Sequence, residues 1–342
     1  RASMPRLIAP AGAARKMGYD GAADRQERTM KQFRGCHTVT VTPFTEDGSA
    51  LDIPALKRFL DWQHASGVPG VIILGTTGEF LTVSDAEREQ YVAETVAHCR
   101  CRMTVMVGAT NAHTPTAARY AKMAERLGAD GLMIAPPYYY TVTEDEIFAY
   151  YAAISEAVSI PIMLYNNPFT THVDMKPHLV AKLTKHLPNV RYIKEASMDV
   201  GRVFDIVEAT DGVMNVFAGE RVVESFKLGA VGYVDPYGNY APRASTALFP
   251  LLEAGRVREA TAIQHVLDEM TNIIKEGHPL YGHQCYSKAL AAAAGYPVGD
   301  VRPPITTFRS LGEEGRAKVA VLSNLMRKLD RMMDEYAGRK AA

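Results

Sequence analysis

The sequence predicts an α/β fold: a closed (β/α)8 TIM barrel with a C-terminal three-helix appendage. Three observations predict it. Eight short apolar runs recur from residue 38 without the in–out alternation of a half-exposed strand, the pattern of parallel strands covered on both faces. Each run ends in a polar or Gly/Pro turn and passes into a longer stretch with helical spacing, at a repeat of about 25 residues. The glycine-rich first turn usual in open, doubly wound sheets is absent.

In chain order, the first run, 38–42, leads to a helical stretch at 53–66, and the second, 70–74, to one at 84–98. Ser84, with Glu87 three residues on, reads as a capping box opening that helix. Runs at 103–107 and 131–135 precede helices at 114–127 and 144–158, the latter announced by a second capping box, Thr143 with Glu146. The fifth and sixth runs, 161–165 and 190–194, precede helices at 175–186 and 199–210. The last two, 213–217 and 231–235, precede 220–228 and 243–254. Three further helices are expected at 257–275, 283–294 and 312–336.

These elements divide the chain into a barrel at 30–255 and a helical region at 256–342. Residues 1–29 are Arg/Ala/Gly-rich, have no periodic apolar spacing and are left outside the fold, with Met30 read as the original start. They read as a tag, an upstream-start artefact or a disordered extension; a targeting peptide would show an apolar h-region.

The 342 residues, 47% of them hydrophobic, suffice for a large core. Basic and acidic residues balance at 38 each, which argues against a nucleic-acid groove or a membrane surface as partner. Apolar runs such as 71–74 are strand-sized and cannot span a bilayer. Four cysteines make no disulfide framework, and Cys99 and Cys101 are too closely spaced for the usual zinc or redox motifs. A reduced, cytoplasmic protein is the expectation.

In such a barrel, chemistry gathers where strands end and βα loops begin. The second strand is followed by Gly75-Thr76-Thr77-Gly78-Glu79, whose hydroxyls and open backbone N–H groups suit a carboxylate or other small anion, or simply make a tight turn that caps the next helix. The fourth leads into Pro136-Pro137-Tyr138-Tyr139-Tyr140, the fifth into Tyr165-Asn166-Asn167-Pro168, and the sixth ends at Lys194. The seventh and eighth offer Gly219-Glu220-Arg221 and Val234-Asp235. An amine held in a low-dielectric pocket favours its neutral, nucleophilic form and can attack a carbonyl. A neighbouring tyrosine can shuttle the protons that imine formation and C–C cleavage require. An ion pair of Lys194 with Glu195 or Glu220 is the structural alternative.

Gly75 to Glu79, Tyr165-Asn-Asn-Pro168 and Ile193-Lys-Glu-Ala196 occur in the order and spacing seen in the dihydrodipicolinate synthase / N-acetylneuraminate lyase family of Schiff-base, class I aldolases. The stretch from Thr40 to Phe44 with Asp47-Gly48, the Pro136–Tyr139 stretch, and Gly229-Ala-Val-Gly232 through to Asn239 also resemble it; the resemblance covers about residues 33–335. It implies that Lys194 is the Schiff-base lysine and Tyr165 the general acid/base. It implies that Thr76 and Thr77 hold the substrate carboxylate, with Thr77 linked to Tyr165 in a proton relay that Tyr139 of a neighbouring subunit completes. Gly75, Gly219, Val234, Asp235 and Thr170 complete the expected substrate-binding set. The resemblance further implies a pyruvate-like 2-oxo acid and an aldehyde as substrates, no cofactor or metal, and a homotetramer built as a dimer of dimers.

Departures from the family pattern bear on the substrate. Synthases that condense pyruvate with aspartate semialdehyde resemble Tyr-Asn-x-Pro-x-Arg-Thr-Gly after the fifth strand; here Thr170 stands at the arginine's place, and a threonine supplies no bidentate cation. Asp235 replaces a small serine, Glu220-Arg221 replaces an Asp-Asp pair, and Ala196 stands where the lyases show threonine. Phe169, His172 and Tyr237 add bulk nearby. The expected reaction is aldol cleavage or condensation with a different partner, such as a sugar-acid or aromatic aldehyde. Dehydration or deamination through the same imine and a non-catalytic 2-oxo acid binding protein are the alternatives. A metal-dependent aldolase would need histidines such as His278 and His283, which read as structural.

Overall fold

A computed structural model describes residues 32–276 and 283–338. The leader at 1–29, Met30 and His278 lie outside the described residues. Eight parallel strands pair in chain order and β8 closes on β1, forming the expected barrel. The first half runs β1 (Gly35–Val39), α1 (Ile53–Ala65), β2 (Gly70–Ile73), α2 (Asp85–Cys99), β3 (Thr104–Gly108), α3 (Thr114–Arg126), β4 (Gly131–Ile134), α4 (Glu144–Ser155). The second half runs β5 (Ile162–Asn166), the single turn α5 (Pro168–Thr171), α6 (Pro177–His186), β6 (Val190–Glu195), α7 (Arg202–Ala209), β7 (Asn215–Ala218). It closes with α8 (Val222–Lys227), β8 (Gly232–Asp235) and α9 (Pro242–Glu253). The appendage contributes α10 (Val257–Lys275), α11 (His283–Ala293) and α12 (Gly312–Gly338).

Both capping boxes form: Ser84 and Glu87 close α2, and Thr143 and Glu146 close α4, each satisfying N–H groups that an uncapped helix start would leave unpaired. The barrel interior is filled by inward side chains, among them Val39, Ile72, Met106, Met163, Phe217 and Val234. Outward side chains of the same strands pack under the helices in a separate, larger cluster. This two-faced burial is why the runs carry no alternation.

The first strand is displaced from its expected span of 38–42 to Gly35–Val39. Beyond Thr40, whose N–H still donates to the Ile72 carbonyl at 3.0 Å, the chain leaves the ladder for the Asn239 side chain, whose Oδ1 accepts from the Val41 N–H at 3.0 Å while its Nδ2 donates to the Val39 carbonyl at 2.9 Å. Thr42 donates to the Gly78 carbonyl at 2.6 Å. The β-branched run is therefore buried without being strand throughout. The expected 103–107 and 213–217 strands likewise end one residue later, at Gly108 and Ala218.

Candidate active site

The ladder between β5 and β6 places Tyr165 directly opposite Lys194. Their outward-facing successors hold the strand ends in place. Asn166 Nδ2 donates to Glu195 Oε2 at 2.9 Å and to Asp174 Oδ1 at 3.2 Å, and Glu195 Oε1 accepts from the Ser197 N–H at 2.7 Å. Glu195 is thereby engaged away from Lys194, and among the described residues Lys194 makes no ion pair.

Lys194 is 9% exposed and Tyr165 7%. The lysine Nζ lies 4.3 Å from the centroid of the Tyr165 ring, a cation–π contact in a largely dry setting. The Tyr165 hydroxyl accepts from Asn167 Nδ2 at 2.8 Å. Glu220, just past β7, is half-buried; burial raises its carboxyl, opposed by the Met198 N–H and by the Lys275 and Lys194 charges.

The turn after β2 carries Thr76, half-buried, and Thr77, buried. Gly75 is required by close approach, since a Cβ there would meet Val39 Cγ1 at 2.8 Å. The Thr77 hydroxyl lies 3.4 Å from His283 Nε2, and among the described residues it makes no hydrogen bond with Tyr165. Gln284 Nε2 donates to the Thr76 carbonyl at 3.3 Å. The turn ends at Glu79, whose Oε1 pairs with Lys288 Nζ at 2.7 Å in full burial and whose Oε2 accepts from the Arg302 N–H at 2.9 Å. Positive φ at Leu74 (57°), Glu79 (55°), Tyr139 (82°), His172 (58°) and Met198 (66°) gathers backbone strain in the loops that follow the strands, a pattern common at functional sites.

The remaining candidates are scattered around this centre. Tyr139 is 84% exposed, whereas its neighbour Tyr138 lines the cavity described below. The Thr170 hydroxyl donates to the Asn167 carbonyl at 3.2 Å. At Gly219 a Cβ would meet the Glu195 carbonyl at 2.8 Å, so glycine there lets β7 approach β6. Val234 is buried in the barrel interior. Asp235 accepts from Ser245 at 2.9 Å and from the Tyr237 N–H at 2.9 Å, bonds that tie β8 to the following turn and to α9. Burial raises its carboxyl to about 6, with those donors and the Lys194 charge opposing the rise.

A cavity of about 550 Å³ borders Tyr165, Thr76 and Thr170. Its walls are largely apolar: Leu74, Phe80, Met133 and Ala135 from the barrel side, Ile305 and Leu311 from the appendage. None of the described residues lining it is Lys, Arg or His. Among the described residues, no group of three or more His, Cys, Asp or Glu is arranged to hold a metal ion, and no helix is long and apolar enough to cross a membrane.

His283, Gln284, Lys288 and the ionic role of Glu79 escape a strand-end reading of the sequence. Burial, aided by the charges of Lys194 and Lys275, pushes the His283 imidazole down to about 4. It stands beside Thr77. The one signal available was Lys288, a lysine among small and apolar residues of a helix, which needs a buried partner.

Residues 32–324 match the Dihydrodipicolinate synthetase family. A 4-hydroxy-tetrahydrodipicolinate synthase of Syntrophus aciditrophicus (strain SB) is 31% identical over 289 residues, spanning 84% of this chain and 97% of that protein. The enzyme of the same name from Thermotoga neapolitana is 33% identical, spanning 80% of this chain and 92% of its own. Among solved structures, the 4-hydroxy-tetrahydrodipicolinate synthase of Methylacidiphilum fumariolicum SolV superposes with a TM-score of 0.80 at 28% identity, over 88% of this chain and 99% of that one. YagE, a prophage protein of the dihydrodipicolinic acid synthase family from E. coli K12 solved in complex with pyruvate, gives 0.80 at 27% identity, over 88% and 99%.

Proposed function

The chain belongs to the dihydrodipicolinate synthetase family, and on that premise we propose that it is a class I lyase in which Lys194 forms a Schiff base with a pyruvate-type 2-oxo acid. The observation that carries the reading is the buried Lys194 amine on the face of Tyr165, unpaired with any carboxylate of the described residues. After Lys194 gives up its proton, its amine attacks the 2-oxo carbonyl, the carbinolamine loses water, and the iminium draws electrons from the C3–C4 bond as the 4-hydroxyl is deprotonated. The bond cleavage of a 4-hydroxy-2-oxo acid releases the aldehyde and leaves an enamine, which is protonated at C3 and hydrolysed by water to pyruvate and free Lys194; condensation is the reverse.

Tyr165 moves protons to and from the carbinolamine and the aldol hydroxyl. Thr76 and Thr77, on a turn rich in N–H donors, hold the carboxylate. A pyruvate-bound relative supports the choice of 2-oxo acid. In a homotetramer, the exposed Tyr139 of a neighbouring copy would extend the relay, and the cysteine usage suits a reducing cytoplasm.

The partner is an aldehyde without a carboxylate. Two features support this: Thr170 offers a hydroxyl already directed at the Asn167 carbonyl, and the cavity walls are apolar with no cation. Such walls favour an aromatic aldehyde over a polyhydroxylated one, because unpaired hydroxyls there would lose hydrogen bonds to water. The test is pyruvate release from 4-hydroxy-2-oxo acids bearing an aryl, a polyhydroxyl or a carboxylate substituent. The aryl compound should give the highest kcat/KM. A preference for aspartate semialdehyde with pyruvate in the condensation direction would overturn this choice of partner.

A further inference from the structure

We propose that His283, contributed by the appendage, is a positioning residue of the reaction centre that orients the Thr77 hydroxyl toward the substrate carboxylate. The inference rests on the reading above of Thr76 and Thr77 as the carboxylate site.

The appendage helix α11 docks on the 75–79 turn through three contacts along one side of its first two turns. His283 Nε2 reaches the Thr77 hydroxyl at 3.4 Å, Gln284 Nε2 the Thr76 carbonyl at 3.3 Å, and Lys288 Nζ the Glu79 carboxylate at 2.7 Å. The first of these joins residues 206 apart in sequence. Lys288 is locked at its other side by the Asp300 carbonyl at 2.9 Å, and its Nζ lies 4.3 Å from the centroid of the Phe44 ring. The histidine is thus delivered to Thr77 on a helix whose depth and rotation are fixed by a fully buried ion pair.

A hydroxyl has one proton to donate, and an uncharged imidazole has one N–H and one lone pair. To bind a carboxylate, the Thr77 O–H must donate to it. The arrangement that permits this has His283 Nε2–H donating to Thr77 Oγ1, which leaves the Thr77 proton for the substrate. Burial and the nearby lysine charges keep the ring uncharged at neutral pH. Without the ring, the hydroxyl rotates among competing acceptors and the carboxylate meets a less organised site.

The test uses pyruvate with sodium borohydride and reads two quantities by mass spectrometry: the plateau of labelling at Lys194 and the pyruvate concentration at half-plateau. His283→Met should raise the half-plateau concentration about five- to tenfold, the scale of one hydrogen bond, with the plateau unchanged. His283→Gln, which restores an N–H at the Nε2 position, should return it to within about twofold of wild type. Half-saturation unchanged in His283→Met would overturn the proposal. So would a joint loss of plateau and thermal stability that His283→Gln does not rescue. A wild-type protein unlabelled at Lys194 would overturn the Schiff-base reading itself, and this inference with it.

Discussion

The Nζ of Lys194 lies 4.3 Å from the ring centroid of Tyr165, and the two residues are direct register partners on adjacent strands. Neighbouring strand ends in a parallel barrel bring such a pair to one rim with no long side-chain detour, because register partners on adjacent strands point to the same face of the sheet. The ring shields the amine from water on one side, while the Tyr165 hydroxyl is aimed by Asn167 at 2.8 Å.

Removing that hydroxyl while keeping the ring isolates its chemistry. Tyr165→Phe should lower kcat by roughly 10²–10⁴-fold, the scale of a positioned acid/base, with little change in thermal stability. Steady-state kinetics beside a melting curve decide it; a loss under about threefold would mean that Tyr165 only packs.

The Glu79–Lys288 pair, with side chains 0% and 1% exposed, is the anchor between the 75–79 turn and the appendage. Lys288→Met leaves Glu79 buried without its cation and should cost about 3–5 kcal/mol in denaturant unfolding. The double variant Glu79→Gln/Lys288→Met should recover most of that stability, since no unpaired charge remains. A double variant as unstable as the single one would contradict this account of the pair.

Asp235 predicts a pH signature. Its carboxyl is raised from 3.8 to about 6, first by burial. A group raised in the fold contributes stability that is fully present below pH 3.8 and is lost as pH rises through about 6. Asp235→Asn removes this dependence. The melting temperature of the variant relative to wild type should therefore rise between pH 4 and pH 7. The lowered imidazoles of His37 and His283 act with the opposite sign over a similar range, but both proteins contain them, so they cancel in the difference. A difference flat with pH would contradict the assignment.

The sequence shows the strands, the two capping boxes and the strand-end chemistry because each is written locally, in runs, turns and spacings that tertiary context leaves intact. Lys194 and Tyr165 belong to this class: once eight parallel strands are accepted, their positions at strand ends follow. The first strand is misplaced by three residues because Val41 and Val39 take their partners from the side chain of Asn239, a contact across the barrel closure that no local pattern announces. His283 is illegible for a stronger reason. Its contact with Thr77 depends on where the appendage docks, and that is set by the Glu79–Lys288 pair between distant segments. Likewise, nothing in the sequence shows whether Asp235 points at the barrel axis or at Ser245; the structure turns it to Ser245.

The central claim is that Lys194 becomes covalently bonded to a 2-oxo acid, and it is tested most directly by incubating the protein with pyruvate and sodium borohydride and locating the adduct by intact and peptide mass spectrometry. The account predicts a single reduced pyruvyl adduct on the peptide containing Lys194, absent from Lys194→Ala. An adduct on another lysine, or the same labelling in Lys194→Ala, would contradict it.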